Sequence, residues 1–164
     1  MFINPKEILD KGILELPSSI DVEKVLQPNG IDLSISEIFK IVKSSLILGD
    51  EIGTKHSTLE KLKGVGMREQ HFELEAGTAY KVETDYYLTL PHDVAAYVFT
   101  RSTLNRNGIL VGSGLWDSGY SGGVGTTIYP FQNLLLDLPC RVAQIVFIKA
   151  ESSHLYKGTY NKPY

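Results

Sequence analysis

The chain has one cysteine among its 164 residues, Cys140, so no intramolecular disulfide can form. It lacks an excess of positive charge: 16 Lys and Arg stand against 19 Asp and Glu, a formal net charge of −3. Non-specific nucleic-acid binding needs clustered cations that displace counterions, and this balance argues against it. A few local cations still suffice for one small phosphorylated molecule. Long apolar runs are lacking too. The stretch 142–148 is broken by Gln144 and is far shorter than a membrane span. No leader-like pattern opens the chain. The expectation is a soluble cytoplasmic protein with no nucleic-acid or membrane partner, folded as one domain over 1–164.

What is present is short and punctuated. Asn4 is placed to cap a helix with Pro5 at its first position, Ile8, Leu9 and Ile13 fall near one face, and Gly12 and Pro17 close the segment. A second short helix is expected at 21–26. After Pro28 the pattern turns β-like. Phe72 and Leu74 alternate, Ala76-Gly77-Thr78 reads as a turn, and Tyr80 and Val82 resume the alternation. Tyr86, Leu88 and Leu90 share a face, and 94–99 reads as a buried run. Further strands are expected at 109–111, 124–129 and 142–149. Many short strands with frequent turn signals indicate a sandwich or barrel. The polar, Gly-rich stretch 49–67 reads as a long excursion between strands.

The densest chemical signal is TRSTLNRNGILVGSGLWDSGYSGG, residues 100–123. Arg101 and Arg106 flank Ser102 and Thr103 at a loop-like site after an apolar strand. Guanidinium forks and hydroxyls suit phosphate oxygens, and a solvated surface loop fits the same letters. In Val111–Asp117 the glycines permit positive φ and close approach, so a flat base can pair with the main chain; a plain hairpin turn is the alternative. Asp117 is placed either to take a proton from water or to cap the turn at Ser118-Gly119. Tyr120 can stack on a sugar or simply pack.

Four stretches together resemble the motifs of trimeric dUTPases. VGSGLWDSGYSGGVG resembles the third, G-V-I-D-x-x-Y-x-G, and TRSTL the second, R-S-[SG]-L. QPNGIDLSI, 27–35, resembles the first, with Gly30, Asp32 and Leu33 in place. LDLPCRVAQIVF, 136–147, resembles the fourth and keeps Arg141, Ala143 and Gln144, with Pro139-Cys140 in place of Gly-Asp. The N-terminal helix, the R-S-x-L-x-R spacing through Arg106 and the Tyr-rich end HLYKGTYNKPY are similar to the dCTP deaminase branch of the same superfamily. The Gly-rich final dUTPase motif is missing.

This resemblance implies an all-β, distorted jelly-roll fold with a short N-terminal helix, a homotrimer with active sites at subunit interfaces, and cleavage of dUTP to dUMP and pyrophosphate. By resemblance, Asp117 activates the water that attacks the α-phosphorus. The stretch 112–116, with Gly112, Leu115 and Trp116, reads uracil through its backbone. Tyr120 lies against the deoxyribose and excludes a 2′-hydroxyl. Arg101, Ser102, Arg106 and Gln144 hold phosphates or ordered waters, and Asp32 organises water on Mg²⁺. The ion is expected on the triphosphate and water, with no direct protein ligand. Residues 152–164 are expected to be a flexible lid, with Tyr156, Lys157 and Tyr160 placed to close over phosphates.

Deamination is the alternative activity, alone or beside dUTP cleavage. Zinc-free deaminases of this superfamily carry a catalytic Glu about ten residues past the motif Asp. Counting from Asp117 reaches Thr127, counting back from RVAQ reaches Thr126, and no acid occurs between Asp117 and Asp137. A threonine hydroxyl cannot accept and return a proton near neutrality, so dUTP diphosphatase is the expected activity. A catalytically silent nucleotide-binding relative is a third reading, disfavoured by Asp117, Tyr120 and Gln144.

Two other motifs fail. Gly119–Gly123 fits G-x-S-x-G, but a nucleophile elbow needs a helix next, and VGTTIYPF is β-like. His71-Phe72-Glu73 with Pro139-Cys140 lacks the second cysteine of a zinc deaminase; Glu73 is expected to face solvent beside His71.

Overall fold

A computed structural model describes residues 1–42, 57–65, 71–158, 160 and 161. Of the expected excursion at 49–67, residues 49–56, 66 and 67 lie outside the described residues.

Both expected helices form. Helix α1 spans Pro5–Asp10, with the Asn4 side chain accepting from Lys6 N at 3.0 Å and Ile8 fully buried. Strand β1, Leu14–Glu15, follows. Helix α2, Val22–Val25, is capped by Asp21, whose carboxylate accepts from Glu23 N at 3.2 Å. No helix among the described residues is long and apolar enough to cross a membrane.

Everything after α2 is organised by antiparallel strands. These are β2 (Leu26–Gln27), β3 (Gly30–Ile35), β4 (Glu37–Val42), β5 (Thr58–Lys61), β6 (His71–Leu74), β7 (Tyr80–Thr89) and β8 (Val94–Thr100). After helix α3 (Ser102–Arg106) come β9 (Ile109–Val111), β10 (Leu115–Trp116), β11 (Ser121–Pro130), β12 (Leu134–Asp137) and β13 (Cys140–Lys149). One sheet runs β5-β4-β7-β11-β9, with β1 also on β7; the other runs β10-β8-β13-β3-β2; β12 and β6 form a small ribbon. The two large sheets are the sandwich that the strand pattern predicts.

Alternation fills the space between them. Tyr80, Val82, Tyr86 and Leu88 of β7 are buried, as are Ile31, Leu33 and Ile35 of β3 and Ile145 and Phe147 of β13. Between Val82 and Tyr86 the in-phase Thr84 is only part-buried, and there the β7–β11 register shifts opposite Gly123 and Gly125. There the Thr84 hydroxyl donates to Val124 O at 2.6 Å and accepts from Tyr86 N at 3.3 Å. Such a bulge re-aims neighbouring side chains, and this one borders the cleft described below.

The stretch after Arg101, expected to be loop-like, is the helix α3. Its residues favour helix weakly, and no side chain caps it. Burial of Leu104 and two local hydrogen bonds supply what propensity does not. Leu104 is buried, Asn105 N donates to Arg101 O at 3.2 Å, and the Asn107 side chain donates to Thr103 O at 2.8 Å.

Strand β3 begins at a close approach. A Cβ on Gly30 would lie 2.6 Å from Ile145 O and 2.8 Å from Gln144 Cγ. Gly30→Ala is therefore expected to force β3 away from β13 and to destabilise the fold by about 1–3 kcal/mol, as overpacking does. Chemical denaturation of the two proteins measures the difference.

Candidate active site

Asp117 stands where β10 ends. Strand β10 pairs with β8, Trp116 opposite Ala96, and the chain then turns through Ser118 and Gly119. Ser118 is buried and its hydroxyl donates to Val94 O at 3.0 Å. Gly119 N donates to Leu90 O at 3.1 Å, and Tyr120 N to Asp117 O at 3.1 Å. Gly119 has φ 86°, and a Cβ there would lie 2.9 Å from Leu155 Cβ, so both conformation and space call for glycine. The Asp117 side chain does not cap this turn. It is exposed, and among the described residues its carboxylate has no ion pair or hydrogen-bond partner. The next strand, β11, excludes the nucleophile elbow, and Glu73 is exposed on β6 beside His71, as expected.

The carboxylate opens onto a cleft of about 460 Å³, walled by Leu115, Trp116 and Tyr120 and floored by Gly123–Gly125. Tyr120 is 8% exposed, its hydroxyl donates to Gly123 O at 2.8 Å, and burial pushes its phenol upward. The far wall holds Lys81, Glu83 and Thr84 of β7. Sequence reading missed these three. The letters show Lys81 and Glu83 only as solvent-facing alternates of a core strand and Thr84 as one of its in-phase positions; pairing of Lys81 with Thr127 and Glu83 with Gly125 brings them to the cleft. The Lys81 ammonium bonds the Glu83 carboxylate and lies 5.9 Å from the Phe39 ring centre.

The expected hairpin at 112–116 takes a different form. Strands β9 and β10 do not pair with each other: β9 pairs with β11, and β10 crosses to β8 in the other sheet. Residues 112–114 bridge the sheets, and neither Gly112 nor Gly114 has positive φ, contrary to the reading of those glycines. A cavity of about 210 Å³ beneath this arch is lined by Ser113, Thr126 and Thr127, and by Trp116 and Gly125, which also line the cleft.

A second cluster surrounds Asp32. This residue is 1% exposed on β3. Its Oδ2 lies 3.1 Å from Arg101 Nε and 3.2 Å from Arg141 Nη1, and its Oδ1 accepts from Gln144 Nε2 at 3.4 Å. Burial pushes the carboxyl above its ordinary value, against the pull of the two guanidiniums and of the Gln144 and Arg141 hydrogen bonds. Asp32 is thus enclosed in its own chain, held among Arg101, Arg141 and Gln144. Ser102 and Arg106 are exposed on α3 beside this cluster.

The two groups occupy opposite ends of β8. Asp117 is level with Ala95, and Arg101 follows about six residues later, roughly 20 Å along the strand at about 3.3 Å per residue.

The tail docks on the Asp117 turn of its own chain. The Ser152 hydroxyl donates to Ser118 Oγ at 2.8 Å, Tyr156 N to Ser118 O at 2.9 Å, and Asn161 Oδ1 accepts from Ser121 N at 2.7 Å. The Tyr156 ring tilts against Tyr120 at 5.8 Å, Tyr156 and Tyr160 line the cleft, and Lys157 borders an adjoining hollow with Asp117.

The family model described as dCTP deaminase-like matches residues 6–150. The chain is 31% identical over 167 residues to the probable deoxyuridine 5′-triphosphate nucleotidohydrolase of Aeropyrum pernix, covering 98% of this chain and 97% of that one. The deoxyuridine 5′-triphosphate nucleotidohydrolase of Methanocaldococcus jannaschii is 30% identical over 140 residues, 84% of this chain and 88% of that one. Among solved structures, the 2′-deoxycytidine 5′-triphosphate deaminase of Agrobacterium tumefaciens aligns with a TM-score of 0.66 at 23% identity, over 87% of this chain and 44% of that longer one. A mutant dUTPase of Staphylococcus bacteriophage 80alpha aligns at 0.52 with 14% identity, over 89% of each chain. These structural likenesses establish the jelly-roll fold. With a family match over most of its length, the chain belongs to the dCTP deaminase-like family.

Proposed function

We propose that the protein is a dUTP diphosphatase in which Asp117 takes a proton from the water that attacks the α-phosphorus, releasing dUMP and pyrophosphate. The observation that carries this reading is a solvent-reaching carboxylate without an ion pair among the described residues, on the lip of a cleft large enough for a nucleoside. An acid held by a cation would be a poor base; this one is open to accept a proton. Trp116 and Tyr120 flank it for the base and sugar, and the arch at 112–114 offers main-chain groups to the base. The relatives named as nucleotidohydrolases support the substrate.

The charge on the cleft supports a shared site. Its wall carries two carboxylates, Asp117 and Glu83, and one ammonium, Lys81, already bonded to Glu83. A triphosphate needs more cation than that. Arg106 and Arg101 supply it, with Ser102 and the nearby Gln144 as neutral donors, when a second copy sets the far end of its β8 against this cleft, and a homotrimer closes three such sites. Among the described residues no three His, Cys, Asp or Glu side chains converge. Asp117 and Glu83 instead suit the water shell of a Mg²⁺ carried by the triphosphate, which when bound neutralises phosphate charge. Tyr156, Lys157 and Tyr160 cover the cleft as its lid.

The positions of Thr126 and Thr127 speak against deamination. Both lie on β11 beside the arch, and the acid nearest them across the strands, Glu83, is tied to Lys81.

Asp117→Asn is expected to fold and bind a non-hydrolysable dUTP analogue while pyrophosphate release falls about a hundred- to ten-thousand-fold. Turnover at the parent rate removes Asp117 as the base. Arg106→Glu is expected to be inactive alone. Co-assembled in equal amounts with Asp117→Asn, it should restore about a quarter of the sites, because each site draws its two halves from different copies. A mixture as inactive as its parts shows that the halves are not exchanged between chains.

A further inference from the structure

The arch at Ser113 and Gly114 hangs between the two sheets by its flanking main-chain groups, and two of its carbonyls are already occupied. Gly112 O accepts the Thr126 hydroxyl at 2.6 Å, while Gly112 N donates to Thr127 O at 2.6 Å. This end is stapled to β11. A Cβ on Gly112 would lie 3.4 Å from Thr127 O and 3.7 Å from Thr126 Oγ1, so little slack exists there. At the other end Gly114 O accepts from Val98 N at 3.2 Å, which fastens the arch to β8. Between the staples, the N–H groups of Ser113 and Gly114 have no partner among the described residues. Both residues line the small cavity that adjoins the Asp117 cleft at Trp116 and Gly125.

Between the staples the arch offers two open N–H groups, while among the described residues its Gly112 and Gly114 carbonyls are engaged and the Ser113 carbonyl is not. The two pyrimidines differ at C4, where uracil carries an oxo acceptor and cytosine an amino donor, and at N3, where uracil carries a donor that the Ser113 carbonyl suits and cytosine an acceptor. Open N–H groups suit the oxo group. An amino group placed against them leaves donors facing donors, and the Gly112 carbonyl that would accept it is engaged by Thr126. We infer that Thr126 sets the preference for a uracil over a cytosine nucleotide, by occupying the Gly112 carbonyl and holding the arch with its donors open. Thr126 acts through the main chain and is a positioning residue. The inference rests on the dUTP reading of the same site and adds to it the residue that determines base choice. Because a carbonyl has a second lone pair, the hydroxyl biases the choice rather than forbidding cytosine.

The test compares kcat/KM for dUTP and dCTP, by pyrophosphate release, in the parent protein, Thr126→Val and Thr126→Ser. Valine keeps the shape and removes the donor; serine restores it. In Thr126→Val the dUTP-to-dCTP ratio is expected to fall about tenfold, through a higher KM for dUTP and better use of dCTP. Thr126→Ser should keep the ratio within about twofold of the parent. Thr126→Ala, also lacking the hydroxyl, should follow valine and replaces it if valine lowers Tm sharply. A parent-like ratio in both hydroxyl-free variants overturns the inference, as does a fall in serine equal to that in valine. If the parent protein itself fails to turn over dUTP, the diphosphatase reading falls. Calorimetric affinities for non-hydrolysable dUTP and dCTP analogues in the same variants then decide the role of Thr126, by the same ratio and the same limits.

Discussion

One buried carboxylate organises the end of the sandwich that carries the arginines. Asp32 sits on β3, almost wholly removed from water, and receives Arg101 from the end of β8 together with Arg141 and Gln144 from β13. Removing a charge from water costs several kcal/mol, so an acid stays here only because partners surround it. The partners are fixed in return. Arg101 also donates to Arg141 O at 2.9 Å, and Arg141 reaches Lys24 O at 2.6 Å, so α2 and three strands converge on one group. As Arg101 is the residue from which α3 starts, the direction of Ser102 and Arg106 follows from the same network. Its value lies in arrangement more than in net stability, since buried ion pairs seldom repay their desolvation in full.

The other end of the sandwich is organised without charge. Hydrogen bonds from Ser118, Gly119 and Tyr120 define the turn after Asp117, and the tail lies over it through main-chain and hydroxyl contacts. Because neutral groups hold the turn, the Asp117 carboxylate remains available. The contrast between the two aspartates is therefore physical. One is enclosed between two guanidiniums, and the other is exposed beside a cleft.

The distance between these ends keeps the two aspartates apart within one chain. A strand of seven residues separates them, and the cleft wall carries more negative than positive charge. A rigid sandwich cannot fold its own β8 back on itself, and on the reading proposed above the two halves meet across an interface between copies.

Much of this was legible in the letters. Alternation at 80–88 and the apolar runs at 94–99 and 142–149 identified core strands, because burial on one face imposes a period of two. Asn4, Pro5 and Asp21 marked the helix starts, because unsatisfied N–H groups there call for those residue types. The order of the four motifs pointed to Asp117, Tyr120 and the arginines. What the letters did not carry was pairing. Lys81 and Glu83 read as ordinary solvent-facing alternates until β7 aligned with β11. Asp32 read as an open site acid until three neighbours closed around it. The arch at 112–114 read as a hairpin until β10 paired with the opposite sheet, and α3 formed on an anchor, Leu104, that its weak local propensity did not reveal. Local preference and burial period are properties of a few adjacent residues and are written in the sequence itself. Which strand lies beside which, and so which charges meet, depends on contacts between residues far apart in the chain, and only the tertiary structure decides those.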